Sequence, residues 1–247
     1  MKIVKCSFKN VTEEEKNKFQ RSSCLLTISV GQEYHESEKF KSTITLINAS
    51  FKNCKIMLYD TLQRYTMALV QNKKPEYFYD IAKQEGDLWL ARNRKYFDDL
   101  DNLTEIIRWE HWLTHPDFAS KKLQVMDLLV HDVDYKVTFE ETIDQYLSRY
   151  QRRLENSDNF DYAKAHQLCF DYLVEECAAL CVWPETECYV DVYPTPRNSA
   201  MDKTHRKILL KEYPGILHSV SLKFKNKKQL QGQKFHSQEL NKRVTVT

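Results

Sequence analysis

Tyr172 and Glu176 stand four residues apart in the stretch FDYLVEECAAL. They share an apolar stripe at helical spacing with Ala165, Leu168, Cys169, Leu173, Cys177 and Leu180, whereas Glu175 falls outside that stripe. A carboxylate on a core-facing stripe is costly unless it is paired or hydrogen-bonded. A tyrosine one turn earlier on the same face reaches the same point in space. Two chemistries fit: a structural glutamate satisfied by an arginine, or a polar pair lining a pocket and gripping a cation such as an α-ammonium. Ser29 offers a nucleophile at the end of the apolar run LLTISV. Thr27 occupies the first glycine position of a Gly-x-Ser-x-Gly elbow, and no histidine or acid is placed by sequence to activate the serine. A serine without a strong base acts on an ester that is already activated.

Short apolar runs between polar segments predict the elements that carry these residues. Leu25–Val30, Lys55–Tyr59 and Glu187–Tyr193 read as strands, and Ile216–Phe224 alternates like a further one. Helices are expected over Ser37–Phe51, over Thr61–Val70 after Asp60, over Phe139–Leu154 and over Asp161–Leu180. Leu123–Val130 reads equally as a strand or a short helix. Strands alternating with helices, without a repeat or a low-complexity linker, predict one doubly wound α/β domain over residues 1–224, followed by a basic tail over 225–247. In such sheets ligands bind outside the carboxyl ends of the strands. Ser29, Asp60 and Tyr193 all fall at or just past such ends, so the three are expected to converge on one edge.

The chain has 247 residues, 42% hydrophobic and 29% charged, a globular composition rather than a disordered one. Four glycines and six prolines disfavour an all-β sandwich. The N-terminal stretch lacks the apolar core of a signal peptide, and no window is apolar enough for a membrane span. Seven cysteines without regular spacing read as reduced thiols, which predicts a cytoplasmic protein. Cys169, Cys177 and Cys181 with His166 lack the paired short spacing of zinc sites, so no metal is expected.

The net charge of +2 is uneven. Residues 201–247 hold eleven Lys or Arg against three Asp or Glu, a surplus of +8, and the first 200 residues carry −6. That asymmetry fits either a polyanionic partner or a solvated tail. Arg149, Arg152 and Arg153 share one helical face, and Arg92, Arg94 and Lys95 form a second basic cluster. Phosphate contacts need only positive charge at suitable spacing.

The ordered set of these pieces resembles the tRNA-dependent cyclodipeptide synthases: TISVGQ around Ser29, LYDT with Asp60, Tyr172-x-x-x-Glu176, and a strand ending at Tyr193-Pro194. Gln32 together with Tyr193-Pro194 is similar to the branch with proline after that tyrosine. The resemblance spans roughly residues 22–200. It implies a Rossmann-like, mostly parallel sheet similar to the catalytic domain of class I tyrosyl- and tryptophanyl-tRNA synthetases. The chain lacks the His-x-Gly-His and Lys-Met-Ser-Lys-Ser signatures of those synthetases, so no ATP and no cofactor is expected.

The implied reaction is ping-pong catalysis on aminoacyl-tRNA substrates. Ser29 takes the first aminoacyl group, a second aminoacyl-tRNA gives a dipeptidyl-enzyme, and cyclisation to a diketopiperazine frees Ser29. The resemblance implies that Tyr172 and Glu176 hold the first α-amino group and that Tyr193 steadies charge near the ester carbonyl. Leu25, Thr27, Gly31, Gln32, Met57, Asp60 and Asp191 fall at substrate-binding positions. Arg92, Arg94 and Lys95 become the leading tRNA contacts and the Arg149 face the secondary one. Thr27 departs from the family's usual glycine, and an acidic Asp191 is expected to favour a polar or cationic side chain. Two alternatives remain open on the sequence: an aminoacyl-tRNA hydrolase or transferase using the same serine, and a non-catalytic tRNA-binding module.

Overall fold

A computed structural model describes residues 3–71, 73–152 and 160–227; Arg153 and most of the expected tail lie outside the described residues. Six strands form one sheet in the order β1-β6-β5-β2-β3-β4. They are β1 (Ile3–Phe8), β2 (Ser23–Ser29), β3 (Asn53–Tyr59), β4 (Leu103–Arg108), β5 (Val190–Tyr193) and β6 (His218–Lys227). Five run parallel; β1 pairs antiparallel with β6 and closes that edge. The parallel part starts at β2 and winds outward through β3 and β4 on one side, then through β5 and β6 on the other. This is the doubly wound order, and it reverses between β2 and β5.

The two central strands are buried on both faces, as parallel strands under helices are. Alternation divides their side chains between two cores. Cys24, Leu26, Ile28, Ile56, Leu58, Val190 and Val192 pack on one side with Phe19 of α1 (Glu13–Phe19), Phe40, Ile44 and Ile47 of α2 (Ser37–Ser50), and Trp89. Leu25, Met57, Tyr59 and Ile107 face the other core.

The chain between β3 and β4 supplies α3 (Arg64–Gln71) and α4 (Tyr79–Phe97). The opposite layer is built by α5 (Trp109–Leu113), α6 (Phe118–His131), α7 (Val133–Gln151), α8 (Tyr162–Leu180) and α9 (Ser199–Thr204). The Leu123–Val130 run is therefore helical, inside α6. The expected helix after Asp60 opens as a 3₁₀ turn over Thr61–Gln63 before α3 begins. β6 continues three residues past the expected boundary at Phe224, because each of them still pairs with β1. All seven cysteines are free and buried. Among the described residues no helix is long and apolar enough to cross a membrane.

The helix α8 is the pivot. It opens on Asp161, whose carboxylate accepts from Lys164 N at 3.0 Å, a side-chain cap of the usual kind. Its second half, Leu173–Leu180, is buried without a break. A helix buried all round has no outer face, and this corrects the expectation for Glu175. Glu175 and Glu176 are both only 5% exposed and point to different partners.

Candidate active site

Ser29 and Tyr193 end β2 and β5, the two strands at which the winding reverses. In this position the following connections leave in opposite directions and open a crevice. Ser29 Oγ lies 3.0 Å from the Tyr193 hydroxyl, which is itself 3.2 Å from the hydroxyl of Tyr34. The chain leaves Ser29 through a tight turn: Gln32 N donates to Ser29 O at 3.3 Å, and Gly31 takes a φ of +85° that side-chain-bearing residues rarely adopt. His35 packs on the Tyr193 ring with centroids 5.6 Å apart. Complete burial lowers its imidazole pKa to about 3, so it is a neutral wall rather than a base.

A cavity of about 690 Å³ opens over this crevice, within the usual range for a small-molecule site. Ser29, Tyr172, Glu176 and Tyr193 all line it. The Tyr172 hydroxyl donates to Glu176 Oε1 at 3.4 Å, and Asn198 Nδ2 donates to Glu176 Oε2 at 3.0 Å. Burial is the main force on Glu176 and raises its pKa to about 7, against the lowering effect of these two donors. The carboxyl is thus poised to exchange a proton near neutrality. Burial likewise raises the Tyr193 pKa, which keeps its hydroxyl protonated and able to donate.

Glu175, not Glu176, is the carboxylate satisfied by an arginine. Arg64 grips it with both Nη atoms, Tyr65 donates its hydroxyl at 3.0 Å and the Trp109 indole donates at 2.8 Å. The structural reading left open for the glutamate on the stripe falls to its neighbour, and Glu176 with Tyr172 lines the cavity.

The remaining expected site residues divide. Thr27, Gln32 and Asp191 line the cavity. Thr27 does more than narrow it, because its hydroxyl donates to Asp191 Oδ1 at 3.0 Å. Asp191 is no free anion awaiting a cation: Arg197 Nη2 donates to its Oδ2 at 3.0 Å. Leu25 and Met57 are fully buried and absent from the cavity wall; the Trp112 indole covers the Met57 sulfur at 3.1 Å. Gly31 shapes the turn without lining the cavity. Asp60 also stays outside. Its carboxylate accepts from Thr61 N at 2.7 Å, Trp109 N at 3.3 Å and Arg108 Nε at 2.6 Å, so it braces the β3 and β4 ends and does not join Ser29 and Tyr193.

Of the basic clusters, Arg92 is bound to Glu36 through Nε and Nη2, and Arg94 and Lys95 are exposed on α4. None of the three lines the cavity, whereas Arg149 does. Arg152 is exposed, with Nε donating to Ser148 O.

Sequence reasoning missed Tyr34, Arg197 and Asn198. Asn198 carried a readable signal, since its side-chain oxygen accepts from Met201 N and caps α9, and Asn before a helical segment is a recognised start. Arg197 carried none, because its partner is chosen by the sheet.

The structure is thus a doubly wound, mostly parallel α/β sheet with Ser29 and Tyr193 at its reversal point and Tyr172 and Glu176 on the same cavity. No protein-family model and no curated protein matches the chain. Solved structures do. A cyclodipeptide synthase from Fluoribacter dumoffii is 39% identical, with a TM-score of 0.87 over 92% of this chain and 100% of its own. The chain therefore belongs to the cyclodipeptide synthase family, a family of aminoacyltransferases. The fold recurs at 15% identity and a TM-score of 0.69 in a cyclodipeptide synthase from Candidatus Glomeribacter gigasporarum, solved bound to Phe-tRNAPhe, over 87% of this chain and 92% of that one. A Mycobacterium tuberculosis protein at 12% identity has a TM-score of 0.61 over 91% of this chain and 94% of its own; its structure relates cyclodipeptide synthetases to type I tRNA synthetases.

Proposed function

We infer that this chain joins two amino acids, each delivered as an aminoacyl-tRNA, into a cyclic dipeptide by ping-pong catalysis through Ser29. The observation that carries this reading is the 3.0 Å contact between Ser29 Oγ and the Tyr193 hydroxyl on the cavity shared by Tyr172 and Glu176. The Ser29 oxygen attacks the ester carbon of the first aminoacyl-tRNA. The terminal ribose oxygen leaves with a proton, and an aminoacyl ester remains on Ser29. For the dipeptide to stay on the enzyme, the attacking amine of the second step is that of the serine-held residue. It attacks the second aminoacyl ester and releases the second tRNA. The new terminal amine then attacks the Ser29 ester carbon, closes the six-membered ring and returns the proton to Ser29.

The residues divide the labour. Ionised Glu176 with the Tyr172 hydroxyl grips the first α-ammonium, and Glu176 takes its proton before the amine attacks; a pKa near 7 suits both duties. The Tyr193 hydroxyl donates toward the oxyanion that develops on the ester. An aminoacyl ester is reactive enough that a serine without a histidine partner suffices. Arg149 at the cavity and exposed Arg94 and Lys95 on α4 are the cations offered to the RNA backbone.

Incubation of the purified chain with aminoacyl-tRNA, followed by intact-mass spectrometry, tests the reading. A Ser29-dependent aminoacyl adduct and a diketopiperazine in the medium are expected, and both disappear in Ser29→Ala. Deacylation without cyclic product points instead to a hydrolase, and tRNA binding with neither activity to a binding module.

A further inference from the structure

Beneath the Ser29–Tyr193 contact the cavity wall carries an ion pair. Thr27 and Asp191 lie two residues before Ser29 and Tyr193 on the same faces of β2 and β5. They therefore sit about 6–7 Å deeper into the sheet, the rise of two strand residues. Asp191 pairs in register with Leu25 on one side and Ser219 on the other, and Ser219 also lines the cavity. Arg197 reaches back over this row. Its Nη2 donates to Asp191 Oδ2 at 3.0 Å and to Leu217 O at 2.9 Å. The Asp191 and Arg197 side chains are only 6% and 4% exposed. Arg197 lines the cavity, and among the described residues its buried Nε has no hydrogen-bond partner.

A buried ion pair is a poor way to build a pocket wall for an apolar side chain, since a hydrophobic pair of the same volume is often no less stable. A buried N–H without an acceptor adds a further cost unless a ligand supplies one. The pair is neutral as a unit, so neither a cationic nor an anionic side chain is matched: Arg197 repels the first and Asp191 the second. What it presents is a guanidinium N–H to donate and carboxylate lone pairs to accept. Resting on the aminoacyl-serine reading above, we propose that the Thr27–Asp191–Arg197 cluster selects, for the residue loaded on Ser29, an uncharged side chain that both donates and accepts hydrogen bonds. A carboxamide is the foremost candidate and a hydroxyl the next. The depth of the cluster below Ser29 matches the reach of a side chain extending from an acyl group held there.

The test is a loading competition. Asparagine, glutamine, serine, threonine, leucine, methionine, phenylalanine, lysine and glutamate are each esterified to the same tRNA body. The mixture is offered at equal concentrations to the purified chain, and early Ser29 adducts are resolved by intact-mass spectrometry. Uncharged polar adducts are expected to exceed apolar ones by roughly tenfold or more, because a site built for hydrogen bonds rejects analogues that lack them. Dominance of an apolar or a charged adduct overturns the proposal. In the double variant Asp191→Leu with Arg197→Met, which leaves no lone charge behind, the polar-to-apolar ratio falls at least tenfold. Thr27→Val, which keeps the ion pair and removes one hydroxyl, moves the ratio the same way by a smaller factor. An unchanged ratio in both variants is equally fatal. Absence of any Ser29 adduct in the wild type refutes the serine route itself and this inference with it; adducts with the wrong preference refute the inference alone.

Discussion

Glu176→Gln is expected to make the protein more stable and less active, with a gain that depends on pH in a calculable way. In the unfolded chain the Glu176 carboxyl ionises near 4.5; burial in the cavity wall raises this to about 7. A raised carboxyl value means that the fold binds the proton more tightly than the unfolded chain does. Below pH 4.5 both states are protonated and Glu176 contributes no penalty. Between 4.5 and 7 the unfolded chain ionises first and wild-type stability declines. Above pH 7 the penalty is constant, at about 3 kcal/mol for a shift of this size. Glutamine cannot ionise, and it retains an oxygen to accept from Asn198 Nδ2. The variant should therefore exceed the wild type by about 3 kcal/mol at pH 8 and by under about 1 kcal/mol at pH 5. Paired urea denaturations at the two pH values read this difference directly. For a chain of this size the pH 8 gain corresponds to roughly 6–12 °C in melting temperature. A gain equal at both pH values, or a variant weaker than wild type at pH 8, would refute the argument. The same variant should lose cyclic product, since a neutral amide neither balances an α-ammonium nor accepts its proton. A buried carboxylate kept at that cost is a mark of a functional site.

Other substitutions probe separate parts of the machinery. Tyr193→Phe removes the donor 3.0 Å from Ser29, and the rate of serine loading should fall about 10²-fold with an unaltered denaturation midpoint. Arg64→Met strands the buried Glu175 carboxylate and should cost about 3–5 kcal/mol; a loss below about 1 kcal/mol in urea denaturation would show the pair to be dispensable. Gly86→Ala places a Cβ 2.7 Å from Asp60 Cβ, so a destabilisation of about 1–3 kcal/mol is expected even though the residue is far from any chemistry. Charge reversal of Arg94 and Lys95 should weaken tRNA binding and flatten its dependence on salt, measured by filter binding at several ionic strengths.

The strands β2 and β3 and the helices α2 and α8 were legible because burial imposes a periodicity on their residues. The edges were not. β4 exposes Thr104, Glu105 and Ile106, so its alternation is blurred, and β1 is an edge strand carrying Lys5 between Val4 and Cys6. The second half of α8 misled for the opposite reason. Buried on every side, it has no polar face against which Glu175 could be judged.

The sequence by itself determined which side chains end the strands, since an apolar run must stop where the sheet meets solvent, and it placed Tyr172 one helical turn from Glu176. Which of those groups meet was decided only by the tertiary structure. Ser29 and Tyr193 touch across 164 residues of chain because the winding reverses between their strands, while Asp60, equally placed at a strand end, is claimed by Arg108. Arg64 and Glu175 find each other across 111 residues, leaving Glu176, held by Tyr172 and Asn198, without an ion-pair partner among the described residues. A buried charge takes the partner that the fold brings within about 3 Å, and local pattern carries no record of that distance.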